Sequence, residues 1–247
     1  MKVIGIIPSR LKSKRLPNKA LVDICGLPMI VHVFKRAMMS RALDEVYVAT
    51  DSKEIFDTIV NYGGKAVMTS SKHKNGTERI AEAAKLLGGD IVVNIQGDEP
   101  LLEPKHITAA VNALKNDNKV NIAILVTPFT KKNSGSDIKA VLDKNNNILY
   151  CSRNDIPSNA RSEVKNLLKM CFIVPFKRAF LFKYAAMKQT PLEQVEFNEY
   201  LRILENGYKI RAVHVKDARI SVDTFDDLAE VRKLMRKDKL RFKYANA

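Results

Sequence analysis

Short apolar runs alternate with amphipathic stretches along the first half of the chain. Residues 2–7 read as a buried strand. Ile30, Val33, Phe34 and Ala37 then recur at helical spacing on one face, behind Pro28 in a first turn. Glu45–Thr50 reads as a second strand. Ser52 is placed to cap a helix over Lys53–Tyr62, and Gly63-Gly64 to stop it. Ala66–Met68 is a short third strand, Thr77–Leu87 a helix, Asp90–Ile95 a strongly apolar strand and Pro104–Lys115 another helix. Strands alternating with helices in this way predict right-handed crossovers and a parallel core sheet.

The second half changes character. Asn121–Phe129, Ile138–Leu142, Ile148–Cys151 and Met170–Phe176 read as strands with few helices between them. They predict antiparallel additions to the same sheet or a subsidiary lobe. Thr190-Pro191-Leu192-Glu193 has the form of a helix start, and the helix is expected to run to about Glu205. On it Leu192, Val195 and Leu204 would pack inward, while Glu196, Glu199 and Tyr200, three or four apart, would share another face. A strand at Lys209–Val215 precedes a last helix. There Leu228, Val231, Leu234 and Met235 form the apolar stripe. With no internal repeat or long linker, residues 1–247 read as a single α/β domain with an elaborated, partly antiparallel second half.

Composition narrows the class. No apolar run approaches the ~18–20 residues that span a membrane, and Val3–Pro8 is too short for a secretory signal. A cytoplasmic protein without a membrane partner is therefore expected. Cys25, Cys151 and Cys171 are far apart, and no Cys-x-x-Cys or His-Glu-x-x-His spacing occurs, so they read as reduced structural thiols rather than zinc ligands. The formal charge of +15 raises nucleic-acid binding as an alternative. Yet Lys and Arg are spread along the chain, and the dense run from Arg232 to Lys243 falls on the wet face of the last helix. No zinc-finger or RNA-recognition signature accompanies it. An anionic small molecule accounts for the charge near the N-terminus equally well.

The loops after Ile7, Thr50, Met68 and Ile95 should meet at the carboxyl edge of the sheet, where open α/β sheets bind ligands. The first carries Arg10, Lys12, Lys14, Arg15 and Lys19, stiffened by Pro8 and Pro17, and suits a polyphosphate. It is no Walker loop, and Gly-x-Gly-x-x-Gly is absent, which weakens a dinucleotide-dehydrogenase reading. Gln96-Gly97-Asp98-Glu99-Pro100 follows an apolar strand and puts Asp98 where phosphates would lie. Asp223 ends another apparent strand, with Thr224 available to cap the helix that follows. Mg²⁺ is usually held by one or two carboxylates plus substrate phosphates. Two such aspartates beside a basic loop fit metal-assisted phosphoryl or nucleotidyl transfer. His32, His73, His106 and His214 read as structural or solvated rather than catalytic.

Ordered motifs at both ends of the chain carry a resemblance. Ile7-Pro8-Ser9-Arg10, Arg15-Leu16-Pro17, Lys19, Met68-Thr69-Ser70, Gly76-Thr77-Glu78-Arg79-Ile80-Ala81-Glu82 and Gln96-Gly97-Asp98-Glu99-Pro100 resemble the 3-deoxy-manno-octulosonate cytidylyltransferases (CMP-Kdo synthetases). So do Thr190-Pro191-Leu192-Glu193, Leu201-Arg202 and Val222-Asp223-Thr224. The resemblance implies a Rossmann-like nucleotidyltransferase fold, a homodimer, and the joining of CTP to a sugar acid with Mg²⁺ and release of pyrophosphate. By matching position, Arg10 and Lys19 would hold the triphosphate with Arg15 beside them. The stretch from Ser70 to Arg79 would help select cytidine, Asp98 and Asp223 would ligate Mg²⁺, and Gln96 and Arg153 would face the sugar acid. Three departures fall on the sugar side. Met170 and Val174 stand where the family commonly has His and Tyr, and Glu199-Tyr200 where it has Glu-Gln. They leave Kdo, an amino-Kdo or a nonulosonic acid as candidate sugars. Asn18, where the family usually has Gly, is milder, because Asn tolerates left-handed backbone.

Overall fold

A computed structural model of the chain describes residues 1–245 apart from Lys12, Lys14, Lys74, Ala218 and Arg219. The chain divides into two compact units: Met1–Thr108 with Arg219–Ala247, and Ala109–Ala218.

The first unit opens with β1 (Val3–Ser9). A turn of 3₁₀ helix at Lys19–Leu21 and a small hairpin of β2 (Asp23–Ile24) and β3 (Leu27–Pro28) lead into α1 (Met29–Met38). Then follow β4 (Glu45–Thr50), α2 (Lys53–Asn61), β5 (Lys65–Met68), α3 (Gly76–Leu87), β6 (Ile91–Ile95) and α4 (Pro104–Lys115). The strands of this unit lie in the order β6-β1-β4-β5, all parallel. The expected cap at Ser52 is present, accepting the Ile55 N–H (3.3 Å), and Asn75, not anticipated, caps α3 by accepting the Glu78 N–H (2.9 Å). Ile30, Val33, Phe34 and Ala37 are buried as the periodicity requires. The hairpin and the 3₁₀ turn leave no signal in the sequence, because two-residue strands carry no period.

The second unit has its own sheet. Its strands are β7 (Ala123–Phe129), β8 (Lys139–Leu142), β9 (Ile148–Ser152), β10 (Leu167–Cys171) and β12 (Arg211–His214), in the order β12-β7-β10-β8-β9. Among the described pairings of this sheet, β12 with β7 is parallel and the others are antiparallel. The expected strand Met170–Phe176 is two strands, β10 and β11 (Ile173–Lys177), broken at Phe172. Helix α5 (Arg178–Ala185) was hidden by its aromatic, weakly periodic sequence.

The expected helix over Pro191–Glu205 is also two: α6 (Pro191–Glu196) and α7 (Leu201–Glu205), separated where Phe197 takes a left-handed φ of 48°. The inward assignment of Leu192 and Val195 fails, since both are exposed. Glu193 is buried instead. It accepts from Nε of buried Arg202 at 2.7 Å and from its second guanidinium nitrogen. A buried bidentate ion pair overrides the amphipathic pattern.

The chain returns to the first unit through α8 (Phe225–Arg236). Leu228, Val231 and Met235 pack into a core with Leu16, Ile24, Met29, Leu101 and Val222. Leu234 is exposed, against expectation. No described helix is long and apolar enough to cross a membrane.

Candidate active site

At the carboxyl edge of β1 and β6 the first unit encloses a cleft of about 780 Å³. Arg10, Arg15, Lys19, Gln96, Asp98 and Asp223 all line it. The sequence separated these residues by up to 213 positions, and local backbone features bring them together. Asn18 takes the left-handed conformation (φ 49°, ψ 32°) that starts the 3₁₀ turn bearing Lys19. Gly97 allows the loop after β6 to run against the end of β1, for a Cβ there would lie 3.0 Å from the Pro8 carbonyl oxygen. The Val222 N–H donates to the Asp98 carbonyl (2.9 Å), clasping the two acidic segments together. The sequence reading put Asp223 at a strand end; it lies instead in a segment outside any strand.

The next residue carries the cap. Thr224 accepts the Asp227 N–H (3.2 Å), and Asp227 accepts the N–H groups of Thr224 (2.8 Å) and Asp223 (3.0 Å). Burial opposes the charge on Asp227, but these bonds hold its carboxyl below the usual range. Asp223 thus keeps its side chain for the cleft. Lys19 Nζ lies 2.7 Å from Asp98 Oδ2 and 3.1 Å from Asp223 Oδ1, and Arg15 lies 3.0 Å from the same Asp223 oxygen. Burial works against the Lys19 ammonium, but the two carboxylates outweigh it and raise its pKa. Lys12 and Lys14 lie outside the described residues.

Two carboxylates converging on a cleft among cations suit a hard divalent ion whose remaining ligands come from phosphate and water. Among the described residues no group of three or more His, Cys, Asp or Glu side chains is placed to hold a metal alone. Asp98 and Asp223 fit Mg²⁺ on that footing.

A second, smaller cavity of about 140 Å³ shares the Pro8-Ser9-Arg10 wall and adds His73, Asn75, Gly76 and Arg79. Arg79, nearly buried, donates to Thr69 Oγ1 (2.6 Å) and lies 3.3 Å from Asp51 Oδ2. Ser70 sits on the same loop, its N–H donated to Glu82 (3.0 Å). Asp51 was missed, although its place directly after β4 puts it at the same sheet edge. His32, by contrast, is buried and bonded to Tyr244 Oη (2.8 Å) and the Ile24 carbonyl (2.7 Å), a structural role as expected.

In the second unit, Arg153 and Glu196 are brought together. Glu196 accepts from Ser152 Oγ (2.6 Å), Tyr150 Oη (3.2 Å) and the Arg153 N–H (2.9 Å). Burial pushes the Glu196 carboxyl up, but these donors outweigh it and lower its pKa. The Arg153 guanidinium donates to the carbonyls of Glu196, Gly135 and Phe197 at 2.9–3.2 Å. The shared helix face for Glu196, Glu199 and Tyr200 does not exist, because the helix breaks at Phe197. Glu199 is half-buried, its carbonyl accepting from Tyr184 Oη (2.9 Å). Tyr200 is buried and stacks on Phe172. Met170 and Val174 are fully buried.

Lys139 was also missed. It is wholly buried and donates to the carbonyls of Ser134 (2.7 Å), Asp137 (2.9 Å) and Arg153. A lysine inside the apolar run Ile138–Leu142 was the available signal.

Residues 4–210 match the family model described as Cytidylyltransferase. The chain is 40% identical over 245 residues to a 3-deoxy-manno-octulosonate cytidylyltransferase of Fusobacterium nucleatum subsp. nucleatum, covering 98% of this chain and all of the relative. It is 39% identical over 242 residues to the enzyme of that name from Syntrophus aciditrophicus, covering 95% and 97%. Among solved structures, CMP:2-keto-3-deoxy-manno-octonic acid synthetase complexed with CTP superposes with a TM-score of 0.93 at 35% identity, covering 96% of this chain and 99% of that one. The chain belongs to the cytidylyltransferase family, and within it to the 3-deoxy-manno-octulosonate cytidylyltransferases.

Proposed function

We propose that this protein joins CTP and 3-deoxy-D-manno-octulosonate (Kdo) to give CMP-Kdo and pyrophosphate, for lipopolysaccharide or a related glycan. The observation that carries the reading is the pair of cavities sharing one wall at Pro8-Ser9-Arg10. The larger holds three cations and two carboxylates for a triphosphate, and the smaller takes a single ring beside Arg79. In this reading the anomeric hydroxyl of the sugar acid attacks the α-phosphorus, a new O–P bond forms, and the bond to pyrophosphate breaks in line with it.

Arg10, Arg15 and Lys19 bind and orient the phosphate oxygens, and charge neutralisation with positioning supplies most of the rate. Asp98 and Asp223 would hold Mg²⁺, which when bound neutralises phosphate charge and lowers the pKa of the attacking hydroxyl. Arg79 and the loop at Ser70 contact the cytidine. Arg153, Glu196 and Glu199 are the residues we assign to the sugar acid. We assign the enzyme to the cytoplasm as a homodimer.

The test is pyrophosphate release from CTP with Mg²⁺ and a panel of sugar acids. Kdo should give the highest kcat/KM. Turnover with none of the panel would overturn the reading. Higher turnover with an amino-Kdo or a nonulosonic acid would reassign the sugar, an outcome worth measuring because Met170 and Val174 present no polar atom where the family commonly has His and Tyr.

A further inference from the structure

The loop between β5 and α3 forms one side of the smaller cavity, through His73 and Asn75, yet its described residues belong to no helix or strand. Its shape is set from the helix. Glu82 lies in the second turn of α3, and one of its oxygens, Oε2, accepts both the Ser70 N–H (3.0 Å) and the His73 ring through Nε2. The other ring nitrogen, Nδ1, lies 3.8 Å from Glu78 Oε2. Glu78 in turn accepts from Asn75 Nδ2 (3.3 Å). The near and far ends of the loop are therefore fastened to α3 by two glutamates one turn apart. Arg79, between them, points to Thr69 and Asp51 instead. The His73 and Ser70 bonds also hold the Glu82 carboxyl below its usual range, so the charged form is the one that fastens the loop.

We propose that Glu82 is a positioning residue for base recognition. Its single carboxylate oxygen ties Ser70 and His73 together and so fixes the wall of the smaller cavity in the shape that receives the nucleobase. Glu82 itself does not line that cavity and touches no reacting atom. This inference rests on the CTP reading above and deepens it. Without the tie, the loop gains alternative conformations, and the binding-competent one is only a fraction of the population. Apparent nucleotide affinity falls by that fraction, while the chemistry in the bound state is unchanged.

The experiment compares wild type with Glu82→Ala, Glu82→Gln and His73→Ala, measuring steady-state kinetics with CTP and UTP and CTP binding by calorimetry. Wild-type use of CTP checks the underlying reading separately. Glu82→Ala should raise the CTP KM and Kd by about tenfold, the effect of losing a charge-assisted hydrogen bond. It should also narrow the preference for CTP over UTP and leave kcat and the sugar-acid KM within about twofold. Glu82→Gln retains an acceptor for Ser70 and should fall between Glu82→Ala and wild type. His73→Ala combined with Glu82→Ala should be less than additive, because the two variants share the His73–Glu82 connection. If wild type uses CTP but Glu82→Gln has a wild-type CTP KM and the same nucleotide preference, the proposal is overturned. It is equally overturned if kcat and both KM values deteriorate together, which would mark a general structural role.

Discussion

Asp98 and Asp223 meet on one ammonium, and the consequences are local. Each carboxylate faces Lys19, and Asp223 also faces Arg15. Replacing either by Asn preserves shape and an acceptor but removes charge from the place where a divalent ion and the triphosphate would sit. Asp98→Asn and Asp223→Asn should each lower kcat by about 100- to 1000-fold, the usual effect of losing one preorganised electrostatic contact. Circular dichroism and melting temperature should stay close to wild type, because both side chains are partly exposed in the cleft. Wild-type turnover at saturating Mg²⁺ in either variant would remove that residue from the catalytic role. Both aspartates were legible in the sequence, as carboxylates next to the ends of apolar or helical patterns. The Lys19 contact was not, for nothing in a linear chain pairs residue 19 with residue 223.

Strand and helix boundaries hold two further expectations. Phe197 ends α6 in left-handed backbone while its ring is exposed, so the conformation is strained without compensating burial. Phe197→Gly should stabilise the protein by roughly 0.5–1 kcal/mol, measured by urea unfolding, since relief of the left-handed penalty exceeds the added chain entropy. A loss of stability would show that the ring makes a contact that matters. At the opposite edge of the parallel sheet, Glu45 on β4 pairs with Lys2 before β1 and with Lys65 on β5. The hydrogen bond from Lys2, then those from Lys65 and Tyr47, lower its pKa from 4.5 to about 2. A depressed carboxyl pKa stabilises the fold fully above about pH 4.5, and that contribution is lost as pH falls toward 2. The melting-temperature difference between wild type and Glu45→Gln should therefore be present at pH 6–7 and shrink steadily below pH 4.5. A difference independent of pH would mean that the three-strand tie does not depend on the charge.

On the scale of the whole chain, the C-terminal return completes the first unit. Segment 220–245 supplies Asp223 and also covers α1. Arg36, fully buried, donates to the Leu102 carbonyl (2.9 Å), to Tyr244 Oη (3.3 Å) and to Asp238. The Tyr244 hydroxyl also meets His32, whose pKa is lowered chiefly by burial. Tyr244→Phe keeps the ring but strips a partner from two buried polar groups. It should cost about 1–3 kcal/mol of stability, read by denaturant unfolding, with kcat and CTP KM unchanged. Unaltered stability would mean that the hydroxyl is dispensable to the strap.

Local pattern alone determined much of this protein. The strand–helix alternation of the first half, the caps at Ser52 and Thr224, the basic loop after β1 and the acidic loop after β6 all follow from spacing and residue type. These signals lie within a few residues of one another, where backbone preference and side-chain chemistry act directly. Tertiary structure decided the rest. Strands β7, β8, β9, β10 and β12 form a sheet of their own, and the chain breaks at Phe172 and Phe197 where periodicity ran on. Glu193 and Arg202 take buried places that amphipathic spacing gave to Leu192 and Val195, because a paired, bonded charge tolerates burial and an exposed turn tolerates apolar residues. The loop fastening by Glu82, the buried ammonium of Lys139 and the meeting of Lys19 with Asp98 and Asp223 depend on contacts between distant segments. Only the folded chain brings those segments within hydrogen-bonding distance.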